Sequence, residues 1–87
     1  MSVRVEFLGI PRLRAGVGSV NVEAKTLGDA IEQLRQMLPD FANDCLEDGQ
    51  LRRGVLANIN GTMFTTEVRM PLRSGDTLMI LSADAGG

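Results

Sequence analysis

Residues 71–87 read Pro71-Leu72-Arg73-Ser74-Gly75-Asp76-Thr77-Leu78-Met79-Ile80-Leu81-Ser82-Ala83-Asp84-Ala85-Gly86-Gly87. Three kinds of sequence meet here. Ser74-Gly75-Asp76 has the chemistry of a turn. Thr77–Leu81 is the most apolar run in the chain, which predicts a central strand shielded on both faces. After it come six small or polar residues that close on two glycines. Where this strand sits relative to the first decides the fold.

At the start of the chain, Val3, Val5 and Phe7 alternate with Arg4 and Glu6, the period of a strand with one buried face. Residues 9–18, with Gly9, Pro11, Gly16 and Gly18, are expected to form a loop. Val20, Val22 and Ala24 alternate again, which predicts an antiparallel hairpin with the first strand. Thr26 opens a helix, with Asp29 three residues on in a capping-box spacing. Leu27, Ile31, Leu34 and Leu38, widened by Ala30 and Met37, give it one apolar stripe, and Pro39 ends it. A short helical turn is predicted over residues 40–49, capped by Gly49, with Phe41, Cys45 and Leu46 facing inward. Val55, Ala57 and Ile59 form another strand, Asn60-Gly61 a tight hairpin turn, and Met63–Thr65 a short return strand.

One main helix over a mixed sheet of four to five strands is an α+β pattern. Placing Thr77–Leu81 beside residues 3–7 makes those two strands parallel, and the resulting topology is the β-grasp, or ubiquitin-like, fold. The 87 residues suffice for one domain. Residues 1–81 are expected to form it, with 82–87 as a flexible tail.

Composition removes most routes to function. Histidine is absent, so no imidazole serves as base or ligand. One cysteine excludes an internal disulfide and a thiolate metal cluster. Three Phe are the only aromatics and the formal net charge is −2, which argues against base stacking and phosphate-backbone binding. No apolar run approaches the 18 residues of a membrane span, and residues 1–9 do not read as a signal peptide. A cytoplasmic protein is expected, with no nucleic-acid or membrane partner.

Local features carry little chemistry. Cys45 sits among Asp44, Glu47 and Asp48, which disfavour a thiolate, and reads as a packed residue. Asp40, Asp44, Glu47 and Asp48 lack the spacing of a calcium loop. Gly16 and Gly18 precede a strand, so the dinucleotide fingerprint fails. Asn60-Gly61-Thr62 is a turn. Arg12, Arg14, Arg52 and Arg53 are candidates to meet an acidic partner, and Leu8, Ile10 and Phe64 to lie exposed. Lys25 is the one lysine.

What remains is the end of the chain. A closing Gly-Gly arises by chance about once in 200 chains, so its place after the most apolar strand matters more than its composition. Six extended residues reach about 20 Å. Glycine lacks a Cβ, so backbone of this kind passes through a slot that side chains would block. The group it delivers is the Gly87 carboxylate, a nucleophile toward an activated phosphate. Adenylated by a partner, it becomes an acyl donor that sulfur can attack.

The chain resembles the bacterial and archaeal ubiquitin-like sulfur carriers, which include the molybdopterin synthase small subunit and the thiamine-biosynthesis carrier. The matching residues are Val3–Phe7, Thr26–Ile31, Ile59-Asn60-Gly61, Leu72–Leu78 and Ala85-Gly86-Gly87. Asp84 departs from the family, placing a charge where an apolar residue is common. The resemblance implies a carrier and cosubstrate rather than an enzyme. In it Gly87 is the adenylation and thiocarboxylate site and Gly86 gives the tail its slim approach. No cofactor is bound; ATP is used by a ubiquitin-activating-type adenylyltransferase. The other implied partners are a sulfurtransferase or persulfide donor and a sulfur-accepting synthase, in molybdenum cofactor, cysteine, thiamine or related biosynthesis. Two alternatives stand beside it: a modifier joined to lysines through the same glycine, and a non-covalent ubiquitin-like binding module.

Overall fold

The computed structural model describes residues 2–83. Alternating apolar residues build β1 (Ser2–Phe7) and β2 (Ser19–Glu23), which pair antiparallel with Val3 opposite Val22 and Val5 opposite Val20. Between them the expected loop contains a short helix, α1 (Ile10–Ala15). Pro11 falls in its first turn, where the missing N–H is not needed, and Gly16 ends it in the left-handed conformation.

The main helix, α2 (Leu27–Met37), starts where Thr26 accepts a hydrogen bond from the Asp29 N–H at 3.1 Å. The reciprocal half of the capping box is displaced by one residue: Asp29 Oδ2 accepts from the Lys25 N–H instead of the Thr26 N–H. Two further first-turn donors, Leu27 N–H and Gly28 N–H, reach the Met70 and Val68 carbonyls at 2.9 and 2.8 Å. A Cβ on Gly28 would lie 3.1 Å from that Val68 oxygen, so glycine lets the segment lie close. Leu27, Ala30, Ile31 and Leu34 are buried as the stripe requires, whereas Met37, in the last turn, is exposed.

Pro39 begins α3 (Pro39–Cys45), with Phe41 and Cys45 buried and Phe41 set edge-on to Phe7 at 5.1 Å between centroids. Gly49 does not cap a helix. It lies in the turn between β3 (Leu46–Glu47) and β4 (Gln50–Leu51), a small separate hairpin. β5 (Val55–Ile59) turns through Asn60 and Gly61, both at positive φ as a tight hairpin demands, into β6 (Met63–Thr65).

The last strand, β7 (Thr77–Ser82), is the centre of a five-stranded sheet of order β2-β1-β7-β5-β6. It runs parallel to β1, with Val5 beside Leu78 and Phe7 beside Ile80, and antiparallel to β5. This is the β-grasp arrangement. One sheet face is covered: Val3, Val5, Phe7, Ala57, Leu78 and Ile80 join α2 and Phe41 in a single apolar core. The other face is partly open, so β7 is not shielded on both sides. Met79, between Glu6 and Asn58 on that face, is only half-buried. Asn58 is itself buried, and its Oδ1 has no hydrogen-bond partner.

Candidate functional site

The two ends of β7 are held differently. Its start is locked by a side-chain clasp. Asp76 accepts from the Arg73 N–H at 2.7 Å and from Asn60 Nδ2 at 2.9 Å, while Asn60 Oδ1 accepts from the Thr77 N–H at 2.8 Å. These bonds favour the ionised carboxylate and hold Asp76 below its ordinary pKa; the Arg73 N–H contributes most, then Asn60. Backbone bonds from Gly75 N–H to Ser2 and from Asn60 N–H to Thr77 close the same corner.

At the far end the strand runs through Ser82, and the Ala83 N–H bonds the Gly54 carbonyl at 2.7 Å. This is the root of the tail. Gly86 and Gly87, the expected reactive pair, lie outside the described residues, as do Asp84 and Ala85. On one side of the root is β5, preceded by Arg53 and Gly54. On the other, β1 runs out into Leu8, whose N–H bonds the Ile80 carbonyl, and then into α1. The root is therefore bracketed by the Arg52–Gly54 turn and by the α1 corner.

The arginines named in the sequence divide in two. Arg14 is paired with Asp44 at 2.9 Å, and Arg52 bonds the Asn43 carbonyl and reaches Glu47 at 4.0 Å. Among the described residues, Arg12 and Arg53 have no carboxylate partner. Four exposed large apolar residues belong to the α1 corner: Leu8, Ile10, Leu13 and Val17, with Leu13 75% exposed. Sequence reasoning named Leu8 and Ile10 but missed Leu13 and Val17. Their spacing from Ile10, three and seven residues on, is the signal that reading the segment as a loop concealed. Phe64 is exposed as expected, on the open face of β6, and opposite Asn58.

The remaining candidates are structural. Cys45 is a buried free thiol whose pKa is raised, first by burial and then by Asp44. No group of acidic residues among the described residues is arranged to hold a metal ion. Lys25 is exposed beside the start of α2. No helix among the described residues is long and apolar enough to cross a membrane.

No family model and no curated protein matches the chain. Solved structures do. SAMP1 from Haloferax volcanii is 23% identical with a TM-score of 0.84, the alignment covering 100% of both chains. A chain of the Amycolatopsis orientalis BexX/CysO complex is 25% identical with a TM-score of 0.79, covering 98% of this chain and 99% of that one. The Helicobacter pylori complex of subunits 1 and 2 of molybdopterin-converting factor matches at 19% identity and a TM-score of 0.61, covering 94% and 93%. The likeness read from the sequence thus holds at the level of fold. This chain is similar over 93–100% of its length to small ubiquitin-like proteins of the modifier, CysO and molybdopterin-converting types.

Proposed function

We propose that this protein is a carrier whose C-terminal glycine is activated by a partner enzyme and loaded with sulfur. The observation that carries the reading is the position of the tail root: β7 is the middle strand of the sheet, and its sequence continues into Gly86-Gly87. A rigid β-grasp body holding a slim end suits presentation of a carboxylate to another protein's centre. The named complexes of the neighbours, CysO with BexX and converting-factor subunit 1 with subunit 2, support a life spent against protein partners.

The chemistry balances in three steps. A Gly87 carboxylate oxygen attacks the α-phosphate of ATP and pyrophosphate leaves. The terminal sulfur of a persulfide attacks the acyl-adenylate carbonyl and expels AMP. A thiol then cleaves the acyl disulfide, leaving a thiocarboxylate at Gly87 and a disulfide on the donor side. The activating enzyme binds the ATP, and this chain's residues only deliver the carboxylate. The sulfur then passes to an acceptor synthase in the cytoplasm, in molybdenum cofactor, cysteine, thiamine or related thio-metabolite biosynthesis.

The test is intact mass after incubation with ATP, a ubiquitin-activating-type adenylyltransferase and a persulfide donor. Exchange of one oxygen for sulfur is expected; an unchanged mass with an enzyme verified on its own carrier overturns the reading. A second reading is favoured by the full-length match to SAMP1, a protein named as a modifier. In it a lysine amine attacks the same adenylate carbonyl, AMP leaves and an isopeptide bond forms. Gly-Gly remnants on lysines of digested lysate that carry this chain's sequence would mark that route.

A further inference from the structure

An activated Gly87 carbonyl is an electrophile, and amines and thiols of the same chain compete with incoming sulfur for it. Few such groups exist here. The chain has one lysine, Lys25, one cysteine, Cys45, and no histidine. Of its nine Lys and Arg residues, the other eight are arginines. A guanidinium stays protonated and offers no free electron pair to a carbonyl.

Lys25 is remote from the tail. It lies two residues beyond Glu23, which pairs with Ser2 at the start of β1. From there to the root runs most of the sheet: five residues from Ser2 to Phe7, then three more from Ile80, the partner of Phe7, to Ala83. Eight strand residues span about 26 Å, against a long dimension of 28 Å for the molecule. Residues 84–87 reach at most about 13–14 Å, and an extended lysine side chain adds about 6 Å. Together they fall short by any path, since the straight line is the shortest. The backbone of Lys25 is also anchored at its far corner: its N–H bonds Asp29 Oδ2, and its carbonyl accepts from the Leu72 N–H.

Cys45 is nearer, since its carbonyl accepts from the Arg52 N–H at 2.8 Å. Here burial does what distance does for Lys25: the residue is 1% exposed. Arg53 is nearer still and exposed. Its neighbour Gly54 carries the carbonyl that holds the Ala83 N–H, so the Cα of Arg53 lies within about 9 Å of that of Ala83. A lysine at this position would be well inside the combined reach of tail and side chain, about 20 Å. Arginine keeps the positive charge and supplies no nucleophile.

Resting on the carrier reading, we propose that the folded body insulates its own activated end: Lys25 is held out of reach, Cys45 is sealed in the core, and Arg53 is a specificity-determining residue that places charge without a nucleophile beside the root. The reaction prevented is cyclisation. In it an amine attacks the Gly87 carbonyl and a C–N bond forms. The bond to the leaving group breaks, the electron pair departs with that group, and the amine proton passes to water. With this route closed, the acyl group is kept for the sulfur of the persulfide.

The test needs no activating enzyme, so it is separate from the carrier reading, which stands or falls on sulfur loading. The full chain is prepared with Gly87 as an alkyl thioester and followed by intact mass in dilute solution. Folded wild type goes to the free acid alone. Arg53→Lys, shown to be folded by circular dichroism, gives a species one water lighter than the acid. It forms at least about tenfold faster than in wild type, at a rate independent of protein concentration, and peptide mapping places the new bond between Gly87 and position 53. Wild type unfolded in guanidinium chloride cyclises through Lys25 and Cys45, which unfolding brings within reach. Cyclisation of the folded wild type, an Arg53→Lys chain that only hydrolyses, or an unfolded chain that cyclises no faster than the folded one overturns the proposal and leaves the carrier reading standing.

Discussion

The start and the end of β7 belong to one strand of six residues, yet they are built for opposite purposes. At the start, Asn60, Arg73, Gly75 and Asp76 are tied to one another and to Ser2 and Thr77 through side-chain and backbone bonds. At the end, a backbone bond from Ala83 to Gly54 fixes the root, and beside it lie exposed apolar side chains and two arginines with no carboxylate partner among the described residues. The comparison teaches where folding is secured and where binding is left open. Groups saturated within the chain stabilise it; groups left unsaturated at the tail root are free to be completed by another protein.

The largest way to break this contrast is to shorten the tail. Deleting Gly87 removes the reacting carboxylate's approach and is expected to abolish loading by intact mass, while the urea midpoint stays at the wild-type value. A shifted midpoint would mean that the end of the chain also holds the fold. Gly86→Val, which adds a branched side chain to the slim segment, is expected to slow loading by about 10²-fold with unchanged stability; equal rates would show that no narrow passage is involved.

The next effect lies in the body. Leu34 is fully buried in the α2 stripe, so Leu34→Ala is expected to cost about 2–5 kcal/mol in urea unfolding. The surviving folded fraction should still load.

The clasp at the start of β7 sharpens the comparison through pH. Asp76 has a folded-state pKa below its ordinary value of 3.8. Its contribution is therefore fully present above that value and is lost as pH falls through the lower, folded one. Asp76→Asn should be less stable than wild type at neutral pH, with the gap closing under acid; a gap that persists at the lowest pH would assign the clasp to shape instead of charge. The smallest effect is expected at Asn58, whose buried Oδ1 is unpaired. Asn58→Leu removes a desolvated acceptor and should be neutral or stabilising by up to about 1 kcal/mol; a clear loss would reveal a partner for that oxygen.

Much of this architecture was legible because buried faces leave periodic traces. Val3, Val5 and Phe7, the Leu27–Leu34 stripe and Val55, Ala57 and Ile59 all announced their elements, and Asn60-Gly61 announced its turn. The failures share a physical cause. In α1, Ile10 and Leu13 point to solvent, so its six residues carry no buried stripe, and its flanking glycines and Pro11 imitate a loop. Gly49 supplies positive φ, which a helix cap and a hairpin turn both use. Met37 and Met79 are long apolar side chains that tolerate half-exposed positions, so hydrophobicity alone misplaced them. The terminal glycines stand out by elimination, since composition removes histidine and metal-binding cysteines, and they lie outside the described residues. The exposed α1 corner was legible only in part, because a segment with the composition of a loop hides the helical spacing of Leu13 and Val17.

The central claim is that the sulfur is carried at the last residue by a body that does no chemistry. Fragmentation mass spectrometry of the loaded chain tests it most directly, because the chain holds one other plausible sulfur site, the thiol of Cys45. The account predicts that the added sulfur replaces an oxygen on the fragment ending at Gly87, with Cys45 unmodified. Sulfur added to the Cys45 fragment as a persulfide, with the Gly87 carboxylate intact, would contradict it.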